Sequence, residues 1–131
     1  MQAGRFCLDT NAVIEFLEGD EALVQLIRKG HEELLLSSVV VGELLFGARN
    51  SAQADTNLER YRRFVYHCRV TPIDEDTAEV YATVRKELRS GGFKIPDNDI
   101  WIAASAMQHD AVVVTRDRHF SHVEGVTTRS W

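Results

Sequence analysis

The sequence predicts an α/β fold, a three-layer α/β/α sandwich with a central parallel sheet. Three observations carry that expectation. Four short strand-like runs, residues 5–8, 33–36, 68–73 and 111–115, are separated by segments with helical periodicity. The last run, Ala-Val-Val-Val-Thr, is apolar almost throughout, as a parallel strand covered on both faces should be. The chain has 131 residues, enough for one domain and too few for two with separate cores, so residues 1–131 read as one domain. Strands alternating with helices imply right-handed βαβ crossovers.

Each element follows from local chemistry. After the strand at 5–8, a helix is expected over 11–18, where Val13, Phe16 and Leu17 fall on one face. Gly19 stops it, and Asp20 caps a second helix in which Leu23, Leu26 and Ile27 repeat the spacing. The strand at 33–36 ends at Ser37 and Ser38, residues suited to a helix N-terminus. Residues 39–48 carry three valines yet read as helix, with Val40, Leu44 and Gly47 on one side. Residues 51–66 form the next helix, with Leu58, Tyr61 and Val65 inward. After the third strand, Asp76 and Glu79 resemble a capping box opening a helix to Ser90, with Tyr81, Val84 and Leu88 as its buried stripe and Gly91-Gly92 as its end. Asp97 is then expected to cap a helix over 98–108, striped by Ile100, Ala103, Ala104 and Met107.

Composition is that of an ordinary globular protein, 44% apolar and 27% charged, which excludes disordered and fibrous classes. No apolar run approaches the roughly 18 residues of a membrane span, and the N-terminus carries no signal-peptide core, so a cytoplasmic domain is expected. Cys7 and Cys68 make no disulfide framework, and no Cys-x-x-Cys spacing exists for zinc. The net charge of −5 argues against a generally basic nucleic-acid binder. It is unevenly spread: residues 1–43 carry −5, residues 44–70 carry +3 and residues 71–131 carry −3.

The placement of the carboxylates is more telling. Open parallel sheets bind ligands beyond the carboxyl ends of their strands. Asp9 follows the first strand directly, Asp117 follows the last strong strand by two residues, and Asp99 opens the helix feeding that strand. Glu43 reaches the same mouth from within a helix. Taken singly, Asp9 is a cap or turn former, Asp99 an acid favoured by its helix N-terminus, and Asp117 a turn residue. Glu43 interrupts a strongly apolar segment, and a carboxylate there needs a cation, from arginine or from metal. Taken together, carboxylates converging on one mouth repel one another unless a cation neutralises them. Oxygen donors without Cys or His in a ligand motif select Mg²⁺ or Mn²⁺ over Zn²⁺.

Leu8-Asp9-Thr10-Asn11, Gly42-Glu43-Leu44, Asp99-Ile100-Trp101-Ile102-Ala103-Ala104, and Thr115-Arg116-Asp117 with Phe120 occur in that order along essentially the whole chain. In these motifs the sequence resembles the PIN domain, and specifically the VapC-type toxin ribonucleases of bacterial toxin–antitoxin systems. The resemblance implies that Asp9, Glu43, Asp99 and Asp117 hold Mg²⁺ or Mn²⁺, with Asn11 and Thr115 orienting them or a metal-bound water. It implies hydrolysis of RNA by metal-activated water, a homodimer, and a VapB-type antitoxin through which operator DNA is bound. The third motif carries an additional carboxylate, Asp97, which is read as the helix cap.

The remaining side chains divide between bland and functional readings. Arg116 and Arg118 flank Asp117, as phosphate contacts or as charge balance on an exposed turn. Arg60, Arg62 and Arg63 do not share one helical face and read mainly as a solvated surface. His119 and His122 read as surface residues, and Trp101 as core packing. Two other classes compete with the nuclease. One is a catalytically silent PIN-like module that binds RNA or protein, which the intact acidic set disfavours. The other is a phosphotransfer domain. The phosphatase pattern wants a second Asp where Asn11 stands, and the receiver pattern wants a Lys where Thr115-Arg116-Asp117 stands.

Overall fold

The computed structural model describes residues 4–30 and 33–131; residues 1–3, where the N-terminus was expected to carry no leader, lie outside them. Five strands, β1 (Arg5–Leu8), β2 (Glu33–Ser37), β3 (Arg69–Thr71), β4 (Val112–Val114) and β5 (Thr128–Arg129), form one sheet in the order β3-β2-β1-β4-β5. Every pairing is parallel. The sheet is flanked by α1 (Thr10–Leu17), α2 (Glu21–Gly30), α3 (Ser38–Arg49), α4 (Ala54–Tyr66), α5 (Glu75–Ser90) and α6 (Asp97–Gln108). Phe6, Cys7 and Leu8 are all buried, so β1 is covered on both faces, as the expected layered architecture requires. Burial pushes the Cys7 thiol up to about 12, which leaves it a small inert apolar group.

Strand order runs outward one way through β2 and β3 and the other way through β4 and β5. The direction reverses between β1 and β4, where Leu8 pairs with Val114. That reversal opens a crevice at the carboxyl ends of these two strands.

Most element assignments hold, and the departures have local causes. The cap at Asp20 is present, its Oδ1 accepting from the Leu23 N–H at 3.1 Å. Ser37 caps α3 through the Val39 N–H. The buried side of α3 is Val40, Leu44 and Ala48, an i, i+4, i+8 row, rather than one ending at Gly47. Helix α4 starts at Ala54 and buries no residue fully; Leu58, Tyr61 and Val65 are half-buried. The third strand is shorter than expected, residues 69–71.

Helix α5 is capped by Asp74, not Asp76. Asp74 has the extended backbone of a cap, its Oδ1 accepts from the Thr77 N–H at 3.0 Å, and its own N–H donates to the Thr77 hydroxyl at 3.1 Å. Asp76 already lies in the helix's first turn. Likewise Asp97 does not cap α6. Pro96 holds the cap position, and the Asp97 carboxylate instead accepts from the Tyr81 hydroxyl at 2.9 Å and pairs with Arg85 at 3.5 Å. Helix α6 is buried nearly all round, including Ile100, Ile102, Ala103, Ala104 and Ala106. Strand β5 was not anticipated: two exposed polar residues carry no alternating pattern.

Candidate functional site

The crevice is built by chain ends that the sheet brings together. Asp9 is the residue after β1 and Thr115 the residue after β4, so the pairing of Leu8 with Val114 sets them side by side. The Thr115 hydroxyl donates to Asp9 Oδ2, while Asp9 Oδ1 accepts from the Ala12 N–H at 2.9 Å and so caps α1. The capping reading of Asp9 thus holds for one oxygen, while the other accepts from Thr115 at the crevice. Asp9 is 7% exposed, and its charge has almost no solvent of its own.

Glu43, on the second turn of α3, is turned toward the same opening. Its Oε1 accepts from the Thr10 hydroxyl at 2.6 Å and its Oε2 from the Asn98 amide at 3.2 Å. Thr10 begins α1 and Asn98 lies in the first turn of α6, so Glu43 ties three helices together across the mouth. Its neighbours form a cavity of about 730 Å³ lined by Thr10, Val39, Gly42, Glu43, Phe46 and Asn98. Of the arginine or metal that Glu43 required, no arginine pairs with it among the described residues.

Asp99 projects from the first turn of α6, and Asp117 caps the 3-10 helix Arg118–His122 through the His119 N–H at 2.9 Å. The Asp117 N–H in turn donates to the Thr115 hydroxyl at 2.9 Å. Thr115 thus links the two aspartates: it donates to Asp9 and accepts from the backbone of Asp117. His119 bridges the other pair, its Nδ1 3.3 Å from Asp99 Oδ2 and 3.0 Å from Asp117 Oδ1.

Electrostatics records the convergence. Burial pushes the Asp9 carboxyl above the usual range, Thr115 and the Ala12 N–H counter it, and the charges of Asp99 and Asp117 raise it further. Asp99 is raised for the same first reason; His119 opposes the rise, and Asp117 and Glu43 add to it. Each carboxylate is therefore felt by at least one other, which is the situation a cation relieves. Asp99, Asp117 and His119 each offer a ligand atom within 4.8 Å of the others. Carboxylate oxygens of this kind are hard donors suited to Mg²⁺ or Mn²⁺, and the imidazole is a donor Mn²⁺ accepts more readily than Mg²⁺.

The other residues singled out fall as follows. Asn11 is exposed on α1, and the neighbouring Thr10 makes the contact to Glu43. Arg116 turns away from the mouth: it lies over the Trp131 ring at 4.6 Å, donates to the Trp131 carbonyl at 3.1 Å and pairs with Glu15 at 3.6 Å. Arg118 is exposed at the start of the 3-10 helix. Arg60 donates to the Leu17 carbonyl and Arg63 pairs with Glu59, so much of that basic surface is engaged locally. Trp101 stacks on Tyr81 with ring centroids 3.8 Å apart. Sequence reasoning missed Thr10, Asn98 and His119. The first two stand beside motif carboxylates, which was a usable signal. His119 carried none, because its partners are 20 and 2 residues away and meet it only in the fold.

Comparison with known proteins identifies the family. The PIN domain family profile matches residues 6–126. The tRNA(fMet)-specific endonuclease VapC of Shigella flexneri is 30% identical over 129 residues, covering 97% of this chain and 98% of that protein. Toxin FitB of Neisseria gonorrhoeae is 32% identical, covering 84% of this chain and 86% of that protein. The crystal structure of DNA-bound VapBC from Salmonella typhimurium superposes with a TM-score of 0.90 at 28% identity, covering 97% of this chain and 98% of that one. The FitAcB structure from Neisseria gonorrhoeae gives a TM-score of 0.82 at 29% identity, covering 94% and 95%.

Proposed function

Since the chain belongs to the PIN-domain family, among its VapC-type members, we propose that it is a Mg²⁺-dependent endoribonuclease, the toxin component of a type II toxin–antitoxin system. The observation that carries this reading is the gathering of Asp9, Glu43, Asp99 and Asp117 at the sheet's switch point with no Lys or Arg ion pair to any of them among the described residues. All four carboxylates are assigned to hold Mg²⁺, with Mn²⁺ a competent substitute. When bound, the ion supplies a water of lowered pKa and charge stabilisation for a phosphodiester.

The chain's own residues do the rest. Thr115 and the Ala12 N–H hold Asp9 in one orientation, and Thr10 and Asn98 do the same for Glu43. Such outer partners fix the direction in which a carboxylate points. His119 Nδ1 lies within reach of both Asp99 and Asp117 and opposes the rise of the Asp99 carboxyl, so we assign it as a positioning residue. Asp97 is engaged by Tyr81 and Arg85 and is assigned no part in ion binding. Among the described residues no helix is long and apolar enough to cross a membrane; as a toxin acting on RNA the chain is assigned to the cytoplasm. The DNA-bound VapBC structure supports a VapB-type antitoxin as partner, with operator DNA reached only through the antitoxin; we assign a homodimer as the toxin's own assembly.

The test is cleavage of mixed tRNA and ribosomal RNA by purified protein with Mg²⁺ or Mn²⁺, with chelator, and with Asp99→Asn. Cleavage that needs the metal and disappears in the variant is expected. A folded, antitoxin-free protein that cuts no RNA would leave the alternative, a catalytically silent module.

A further inference from the structure

Beside the acidic mouth lies a groove of about 570 Å³ of opposite character. It is lined by Arg85, Leu88 and Arg89 of α5, by Phe93, Lys94 and Ile95 of the connection, and by Asp97 and Ile100 of α6. Arg85 is held by Asp97 and Tyr81. Arg89 and Lys94 are exposed and form no ion pair among the described residues.

The aromatic wall of this groove is held in place. The Phe93 ring stacks on His122 at 4.0 Å with 17° between planes. It also folds back over Gly91, where an added Cβ would lie 3.0 Å from the ring and push it by a few tenths of an ångström. Gly92, at φ +78°, makes the reversal that allows this. Phe93 nevertheless remains 43% exposed. A fixed aromatic pair left open to solvent next to unpaired cations has the composition of a single-strand track, where bases stack and phosphates are drawn electrostatically.

The position suits that occupant. The groove's floor at Asp97 and Ile100 brackets Asp99, and its aromatic wall ends at His122, in the 3-10 helix that carries His119. The opposite flank of the mouth, by contrast, has Glu43 and Phe46 and no cation in its lining. A strand leaving the mouth is thus drawn toward α5 by charge.

We propose that the groove between α5, residues 91–95 and the start of α6 binds a single strand of RNA next to the cleavage site, with a base stacked on the Phe93–His122 pair and phosphates at Arg89 and Lys94. It rests on the ribonuclease reading for its substrate class.

The test measures binding by fluorescence anisotropy of an end-labelled, mixed-sequence single-stranded RNA about twelve nucleotides long, in chelator. Phe93→Ala and Phe93→Leu should each weaken binding by about 5- to 150-fold, the range of one lost stacking contact. The double variant Arg89→Ala/Lys94→Ala should make the log–log salt dependence shallower by about 1.4, two phosphate contacts' worth. Arg28→Ala, on α2, should bind as wild type, and circular dichroism verifies that each variant is folded. Wild-type affinity and salt dependence in both Phe93→Leu and the double variant would overturn the proposal. So would capture of a labelled polyglutamate peptide in place of RNA, which would make the groove a site for an acidic protein segment. Metal-dependent cleavage by wild type alongside undisturbed variants sinks the groove alone; groove-dependent binding without any cleavage sinks the nuclease reading alone.

Discussion

The two ends of the sheet treat charge in opposite ways. At the amino ends, β1, β2 and β3 start with Arg5, Glu33 and Arg69. Glu33 Oε1 lies 3.4 Å from Arg5 and 3.5 Å from Arg69, and Arg5 also donates to the His109 carbonyl. Charges there are answered side chain by side chain. At the carboxyl ends, Asp9 and Asp117 follow β1 and β4, Asp99 and Glu43 join them from helices, and only hydroxyls, amides and one imidazole answer them. The first arrangement is complete within the chain and, being largely solvent-exposed, contributes little. The second concentrates negative charge in a partly desolvated place with no Lys or Arg ion pair among the described residues.

The largest expected effect tests that contrast directly. Asp9→Asn should lower metal-dependent RNA cleavage more than about 100-fold, beyond the 10–100-fold that outer partners typically carry, as read by gel-resolved cleavage rates. Thr115→Val, which removes the hydroxyl holding Asp9, should fall within that roughly 10–100-fold range and partly recover at high Mn²⁺. Retention of full activity by either variant would break the comparison.

A stability measurement sharpens it. The folded pKa of Asp99 is raised above its unfolded value, so the folded state binds protons more tightly than the unfolded one, and stability falls as pH rises between the two values. In chelator, Asp99→Asn should therefore gain in thermal stability relative to wild type as pH climbs through that window and hold a constant difference above it. Mg²⁺ should raise the Tm of wild type more than that of the variant. A pH-independent difference would mean that burial and the neighbouring carboxylates together do not raise the Asp99 carboxyl above its unfolded value.

Smaller effects are expected elsewhere. Asp97→Asn should leave the metal dependence of cleavage unchanged, because its carboxylate is occupied by Tyr81 and Arg85. Glu33→Gln, at the other end of the sheet, should cost no more than about 1 kcal/mol in denaturant unfolding and nothing in cleavage rate. A loss of activity there would show that the two ends are coupled.

The fold was legible because its signals are local. Apolar periodicity, Asp20, Ser37 and the Gly91-Gly92 pair each act over a few residues, and each does in the structure what its chemistry dictates. Where two acids compete for a cap, local chemistry under-determines the outcome. Asp74 prevails over Asp76 because Thr77 reciprocates, and Asp97 leaves the capping role because Tyr81 and Arg85 reach it from α5. Strand β5 escaped because an edge strand of two polar residues is defined by its hydrogen bonds to β4 rather than by its own side chains.

Among the candidate site residues, strand-end position pointed to Asp9 and Asp117, a helix start to Asp99 and an interrupted apolar segment to Glu43, since a parallel sheet turns position along the chain into position at one edge. It was the family resemblance that joined the four as ion holders. How those carboxylates are held was a matter for tertiary structure alone. Thr10 rather than Asn11 meets Glu43, His119 lies between Asp99 and Asp117, and Arg116 faces Trp131. The basic groove along α5 likewise exists only once residues 85–95 fold against α6. Periodicity and caps act between neighbours in the chain, whereas a contact across 33 residues, as between Thr10 and Glu43, depends on which helices the sheet brings together.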